Sequence, residues 1–575
     1  MKHLTILFCF FLATKALHSQ TNYYVATNGN NNNNGSINQP WKTIQYGMDR
    51  LSPGDILNIR QGNYNEKLQV NKSGNSNNVI TIKAYNSENV VVNGDSFNDK
   101  KSLFRSYNKG NFTVEGIHFT NCYSSDGLGA IFVDGYGENI TINNCKFSNI
   151  AISRNKNASV NNSTNQPVIS FIGNSSQQSL KNIKVTNSEI FDCRPGYSEC
   201  LTITGNSDGF EFSNNKVYNN TNIGIDVIGN YNDSSNSNLD QARNGVIKNN
   251  LCYNNNSPYA SAAGIYVDGG KNVTIENNIL HHNDYGAEIG CEESGSASNI
   301  IFRNNVVYKN KDAGIALGGY NASTGGKVTN SKVINNTFYQ NNTKGDGTGE
   351  ILFSQFENSE ISNNIFFLSN HNYLMSNSRN QPNLTFRYNL VFNPNGSNKI
   401  NAYWNKKDLT GFSTILNQTP LQSSNFHKNP NFCNPSQYQF CLQNNSPAID
   451  SGNPNYQPDA NETDIDNQAR LYNNVIDCGA DEFHGTVLGN DDVTLENDFT
   501  IYPNPASDFI YIKFKNVVVY RVKIFNLLGS LVSSKTLETN SDNRINISSF
   551  SQGLYIMVFL NENGKKIKHH KFFKR

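Results

Sequence analysis

Three acidic residues stand at the outward places of a repeated strand pattern, G-[apolar]-x-[apolar]-x-G. Asp226 lies in GIDVIG (224–229), Asp268 in GIYVDG (264–269) and Glu288 in GAEIGC (286–291), and GIALGG (314–319) is a fourth copy. In a strand, successive side chains point to opposite faces. Ile225 and Val227, Ile265 and Val267, Ala287 and Ile289 then fill an interior, and Asp226, Ile228, Tyr266, Asp268 and Glu288 must face solvent. Stacked strands place Asp226 and Glu288 in one column two rungs apart, about 10 Å between Cα atoms. Asp268 lies on the rung between them, displaced by two residues. Such carboxylates suit glycoside hydrolysis, whose paired carboxyls stand roughly 5 to 10 Å apart. They also suit Ca²⁺, a hard cation that takes several oxygen ligands and would bind a uronate and acidify its C5 proton. The remaining reading is solvated surface.

Other groups lie close to these acids in the sequence. Tyr266 offers an aromatic face for a sugar ring. Asp240 and Arg243 share one following loop, and Glu292 and Glu293 share another. Elimination needs a base of high pKa, and Lys271 and Arg243 are the nearby choices. His281 replaces the tyrosine found at 218, 253, 308 and 339, so stacking explains it better than catalysis. The candidate catalytic residues are therefore Asp226, Asp268 and Glu288. The candidate substrate contacts are Tyr266, Asp240, Arg243, Lys271 and His281. Hydrolysis requires no cofactor, and Ca²⁺ enters only with elimination.

The elements that position these residues follow from a period. Asn-Asn pairs recur at 214–215, 249–250, 277–278, 304–305, 335–336 and 363–364, that is, every 27 to 35 residues. An alternating run such as NVTIENN precedes each pair, and a short half-apolar run such as LCYNN follows most of them. Three short strands per repeat, with a polar ladder at one turn, describe an all-β parallel β-helix, right-handed, over 95–445. Stacked asparagine amides satisfy turn groups that would otherwise be buried unpaired. The loops flanking the acid-bearing strand are the long ones: 152–166, 193–200, 256–263 and 342–349 before it, 230–244 and 319–326 after it. They are expected to wall a groove.

Composition narrows the class. The chain has 47 basic and 46 acidic residues, formal charge +1, so no global field favours nucleic acid or a membrane surface. Residues 1–19, with LTILFCFFLA, read as a secretory signal peptide. The cysteines lack metal-ligand spacing; Cys193–Cys200 and Cys433–Cys441 suit local disulfides, and Cys145 and Cys252 suit buried thiols. No phosphate loop, Ser-His-Asp order or DPHD motif is present.

Residues 20–94 read as an N-terminal cap and first coils. Ile44, Met48 and Leu51 sit at helical spacing, so Thr43 to Leu51 is expected to be a short helix plugging the solenoid. With YYVATNGN and SPGDILNIR around it, this opening resembles secreted right-handed β-helix proteins, notably pectate lyases of polysaccharide lyase family 9 and alginate or chondroitin lyases of family 6. SPAID, DIDNQAR and DCGADEF, within 446–483, resemble the closing segment of bacterial surface β-helices, which implies structural acids there. Residues 484–498 form a polar linker. From 499 to 575, alternating strands carrying YPNP, NLLG, GLY and a basic last strand indicate a small β-sandwich. It resembles type IX secretion sorting domains, which implies that machinery as a partner, export across the outer membrane and removal of the tail. The expectation is a monomeric, extracellular or surface-attached protein that cleaves a polysaccharide, hydrolysis slightly ahead of elimination. A glycan-binding adhesin is the alternative.

Overall fold

The computed structural model describes residues 20–319, 325–484 and, within 499–575, all but 515–520, 527–529, 538–542 and 561–565. The signal-peptide segment and nearly all of the linker lie outside the described residues. The chain divides into two compact units, 1–483 and 484–575.

The first unit is a parallel β-helix. Three long parallel sheets run along it, and each coil visits them in a fixed order. One sheet holds Leu201–Gly205, Ile225–Ile228, Ala263–Asp268, Tyr285–Gly290 and Ala313–Leu317 on successive rungs. We call it the site sheet. The next sheet round the coil holds Arg243–Lys248 and Lys271–Glu276, and the third holds Leu251–Tyr253 and Ile279–His281. Ile225, Val227, Ile265, Val267, Ala287 and Ile289 are fully buried in the bore, as strand alternation requires.

The Asn pairs divide their labour. The first residue of each pair takes a left-handed backbone, φ 58° at Asn214 and 57° at Asn249, a region asparagine tolerates better than most residues. The second donates its amide to its counterpart on the next coil: Asn215 to Asn250 at 3.0 Å, Asn250 to Asn278 at 2.9 Å, and so on to Asn425. A second buried ladder runs through Asn220, Asn255, Asn283, Asn310 and Asn341. It ends on Glu350, whose carboxylate accepts both the backbone N–H and the side-chain amide of Asn341. The sequence shows this ladder only as the closing asparagine of runs such as LCYNN.

The cap helix is shorter than its spacing suggests, Ile44–Met48, but Ile44, Met48 and Leu51 are all buried. Cys433 and Cys441 form the disulfide. Cys193 and Cys200 do not pair with each other; both are free, buried thiols, like Cys145 and Cys252. The closing segment packs on the third sheet together with the hairpin before it: Phe432 and Phe440 of the hairpin and Ala448 and Ala480 of the segment join Tyr308, Tyr339 and Ile365 in one apolar cluster. Its acids are structural: Asp464 accepts the N–H groups of Asp466 and Gln468, and Glu462 holds Arg303 at 2.9 Å.

The second unit has a three-stranded and a four-stranded antiparallel sheet. They enclose a core that includes Ile510, Ile512, Val522, Ile524, Met557 and Phe559.

Candidate active site

The register across the site sheet brings the outward column together. Thr202 pairs with Asp226, Asp226 with Tyr266, Tyr266 with Glu288, and Glu288 with Ala316. Asp268 pairs with Ile228 on one side and Gly290 on the other. Asp226 and Glu288 thus share a column two rungs apart, and Asp268 sits diagonally from both.

These residues face outward from the bore but not into open solvent, which corrects the sequence expectation. Asp226, Tyr266 and Asp268 are only 2–3% exposed, and Glu288 is half-buried. The flanking loops fold over the strands and leave a groove of about 870 Å³. Loop 230–244 is held by Asp240, whose carboxylate accepts the N–H groups of Asn232 (2.6 Å) and Ser234 (2.7 Å). That staple presents Tyr231, whose hydroxyl donates to Asp268 at 2.6 Å. The other Asp268 oxygen accepts the Glu292 N–H at 2.8 Å. Tyr266 leans over Gly290, where a β-carbon would come within 3.1 Å of its hydroxyl oxygen. Its hydroxyl donates to Glu292 at 3.3 Å. With that ring buried, Tyr266 is a wall of the groove and not an open stacking platform.

Five carboxyl groups line this space: Glu199, Asp226, Asp268, Glu288 and Glu292. Burial pushes Glu288 up to about 8 and Asp268 up to about 7, and the neighbouring carboxylates push in the same direction. Glu199 is also raised to about 7 by burial, while the Thr202 hydroxyl bonded to it at 3.1 Å opposes the shift. Asp226 is raised well above the usual carboxylate range by burial and then by Glu199, Asp268 and Glu292. One of its oxygens is buried without a hydrogen-bond partner. Arg379 is the one cation among the groove-lining residues, and its Nη1 is also buried without a partner. The carboxyls do not converge on a point. Among the described residues, no three His, Cys, Asp or Glu side chains are placed to hold one metal ion.

The other sequence candidates lie elsewhere. Asp240 acts through its loop and lies outside the groove lining. Arg243 opens a strand of the next sheet and is tied to Asp208 (3.2 Å), Asn206 (3.0 Å) and Ser179 (3.2 Å). Lys271 follows Asp268 closely in the chain, but the corner at Gly269–Gly270 puts it on that next sheet beside Arg243, exposed. His281 is on the third sheet, stacked between Tyr253 (4.9 Å) and Tyr308 (4.6 Å), and burial lowers it to about 4. Glu293 is exposed beside the groove's Glu292. Sequence reasoning missed Glu199, Tyr231 and Arg379. The first two lie within loops marked as groove walls, which was a usable signal. Arg379 had none, because it lies more than one hundred residues from Asp268 in an irregular coil.

The buried, half-unsatisfied Asp226 gives a stability test. A carboxyl raised on folding contributes stability in its neutral form, and that contribution is lost as pH climbs above the ordinary aspartate value of about 4. Asp226→Asn keeps the shape without the charge. At pH 8 it is expected to melt at a higher temperature than the parent, a gain of about 1 kcal/mol or more, with the gap closing toward pH 4. Melting curves at the two pH values check it. An Asp226→Asn protein that melts lower than the parent at pH 8 would mean that the charge is compensated.

Comparison with known proteins agrees with this architecture. The family model described as "Pel9A-like, right handed beta helix region" matches residues 23–210, and one described as "Right handed beta helix region" matches 230–325. "Secretion system C-terminal sorting domain" matches 500–573. That tail places the protein on the type IX route, to the cell surface or the extracellular space. Among the described residues no helix is long and apolar enough to cross a membrane. An uncharacterised protein of Bacillus subtilis (strain 168), YwoF, is 32% identical over 440 residues, covering 74% of this chain and 91% of YwoF. Ulvan lyase NLR42 of Nonlabens ulvanivorans is 32% identical over 101 residues, only 17% of this chain and 19% of that enzyme. The crystal structure of pectate lyase Pel9A overlaps 81% of this chain and 97% of its own at 16% identity, with a TM-score of 0.41. The chain therefore belongs to one family with YwoF, and it carries a Pel9A-like right-handed β-helix region over 23–210 and a right-handed β-helix region over 230–325.

Proposed function

We propose that the groove cleaves a polysaccharide by carboxyl-based hydrolysis, with Glu288 as general acid and Asp268 as the base or nucleophile. The observation that carries this reading is the pairing of two carboxyls with unequal environments on adjacent rungs. Adjacent rungs lie about 4.8 Å apart, which puts the two side chains within reach of one glycosidic bond. Glu288, raised to about 8, holds a proton at neutral pH for the leaving oxygen. Burial raises Asp268 to about 7, against the Tyr231 hydroxyl and the Glu292 N–H, which both favour its ionised form. The two donors on Asp268 suit the group that works ionised, and the burial of Glu288 suits the group that works protonated.

Elimination on a uronate is the second reading. It is favoured by the kinship with a family model named for a pectate lyase, by the local match to an ulvan lyase, and by Arg379 with its unpartnered nitrogen in the groove wall. Digests of pectic, alginate and sulfated algal glycans separate the two. Hydrolysis is expected to give reducing ends without ultraviolet absorbance and to persist in EDTA. Products that absorb as unsaturated uronates would replace this reading with elimination, and dependence on added Ca²⁺ would bring the cation into it. Glycan binding with no cleavage would support the adhesin alternative.

A further inference from the structure

One cavity outside the acidic groove carries the opposite charge. A pocket of about 330 Å³ lies among the loops that precede the site strands, with Lys156, Arg194, Thr221 and Tyr259 on its walls and Val160 and Pro258 as apolar surface. Its lining holds two cations and no carboxylate. Arg194 gives one nitrogen to the Asn155 carbonyl at 3.0 Å. Among the described residues neither cation has an acidic partner within ion-pair distance. Several other arginines of the helix are matched to an acid, as Arg303 and Arg387 are, and two unmatched cations around one cavity need a different account.

The pocket adjoins the groove. Tyr259 lines both, with Gly196 on the pocket side and Tyr197 on the groove side. The Tyr259 hydroxyl donates to the Gly196 carbonyl, and its ring lies 5.0 Å from that of Tyr197. The aromatic pair therefore forms a partition between the acidic centre and the cationic pocket. A chain held over Asp268 and Glu288 can continue past this partition. Where it does, a charged substituent meets a guanidinium and an ammonium instead of five carboxyls.

We propose that the Lys156–Arg194 pocket is a subsite for an anionic substituent, a carboxylate or a sulfate ester, carried by a glycan residue beyond the cleavage point. The proposal rests on reading the acidic groove as a glycan site. It adds that the preferred substrate is charged away from the bond that is cut. Charge-assisted hydrogen bonds are among the stronger polar contacts, and the site is open enough to be weakened by salt.

The test uses the full chain carrying Glu288→Gln, so that ligands stay intact, titrated calorimetrically with neutral, carboxylated and sulfated oligosaccharides of matched length. Arg194→Ala and Lys156→Glu are compared with this parent. Lys156 is exposed, so its replacement leaves folding untouched even if loss of the Arg194–Asn155 bond disturbs its loop. Each is expected to weaken the anionic ligand about tenfold and leave neutral binding unchanged, and about 0.5 M salt should erase the difference. Loss confined to the carboxylated or the sulfated series identifies the substituent. Anionic ligands bound equally by parent and both variants would overturn the subsite and leave the groove reading standing. No binding of any glycan by the parent would overturn both.

Discussion

Replacing Asp268 by Asn, or Glu288 by Gln, is expected to cut the cleavage rate by about a hundredfold or more while leaving the fold intact. Positioned acid–base groups contribute about 10²–10⁴-fold, and both changes preserve shape in a groove already shaped by its loops. The pH profile carries more information than the loss itself. With Asp268 near 7 and Glu288 near 8, activity should fall on the acidic side as Asp268 gains its proton and on the alkaline side as Glu288 loses its own. Because the five carboxyls interact, the limbs report values of the cluster rather than of single residues. Tyr231→Phe removes the hydroxyl that favours ionised Asp268. Its acidic limb should therefore move to higher pH, with a modest fall in the maximum. Measurements of kcat/KM against pH for the parent, Tyr231→Phe and Glu288→Gln check the assignment. A Glu288→Gln enzyme with the parent's rate and alkaline limb would sink it.

Arg470→Ala is expected to be the most damaging single change to stability, by about 3–5 kcal/mol. Arg470 and Glu482 are both essentially inaccessible and lie 3.2 Å apart. The guanidinium also donates to the carbonyls of Asp477 (3.1 Å) and Gly479 (2.6 Å). Glu482 in turn accepts the N–H groups of Tyr472 (2.9 Å) and Asp477 (3.0 Å). Removing the cation leaves a buried carboxyl without its counter-ion and takes a donor from two carbonyls at once. The segment so released contributes Ala448, Cys478 and Ala480 to the apolar cluster on the third sheet, so proteolysis should begin within 446–483. A tail-free protein examined by chemical denaturation and limited proteolysis would reveal it. A variant with the parent's midpoint would mean that the segment is held by its apolar contacts alone.

The two experiments probe parts of the molecule that were legible to different degrees. The closing segment could be assigned from SPAID, DIDNQAR and DCGADEF, but not the role of Arg470, because nothing in its neighbourhood marks it as buried. Asp226, Tyr266, Asp268 and Glu288 could be aligned rung by rung without coordinates. Strand alternation has a period of two and each coil repeats the last, so a position in the repeat is also a position in space.

That regularity is what the sequence determined by itself: the solenoid, its inward and outward faces, the asparagine ladder and the column of acids. It could not determine what happens where the repeat is interrupted. A corner at Gly269–Gly270 carries Lys271 to another sheet although it closely follows Asp268, because proximity along a chain ends where the coil turns. Loops have no period, so the folding of 230–244 over the strands, with Tyr231 reaching Asp268 and Asp240 turned inward as a staple, appears only in the tertiary structure. The same holds for Glu199 and Arg379, which join the groove from distant coils. Burial by those loops turned an expected row of solvated acids into a cluster raised toward neutral pH, since a carboxyl removed from water and placed among others favours its proton.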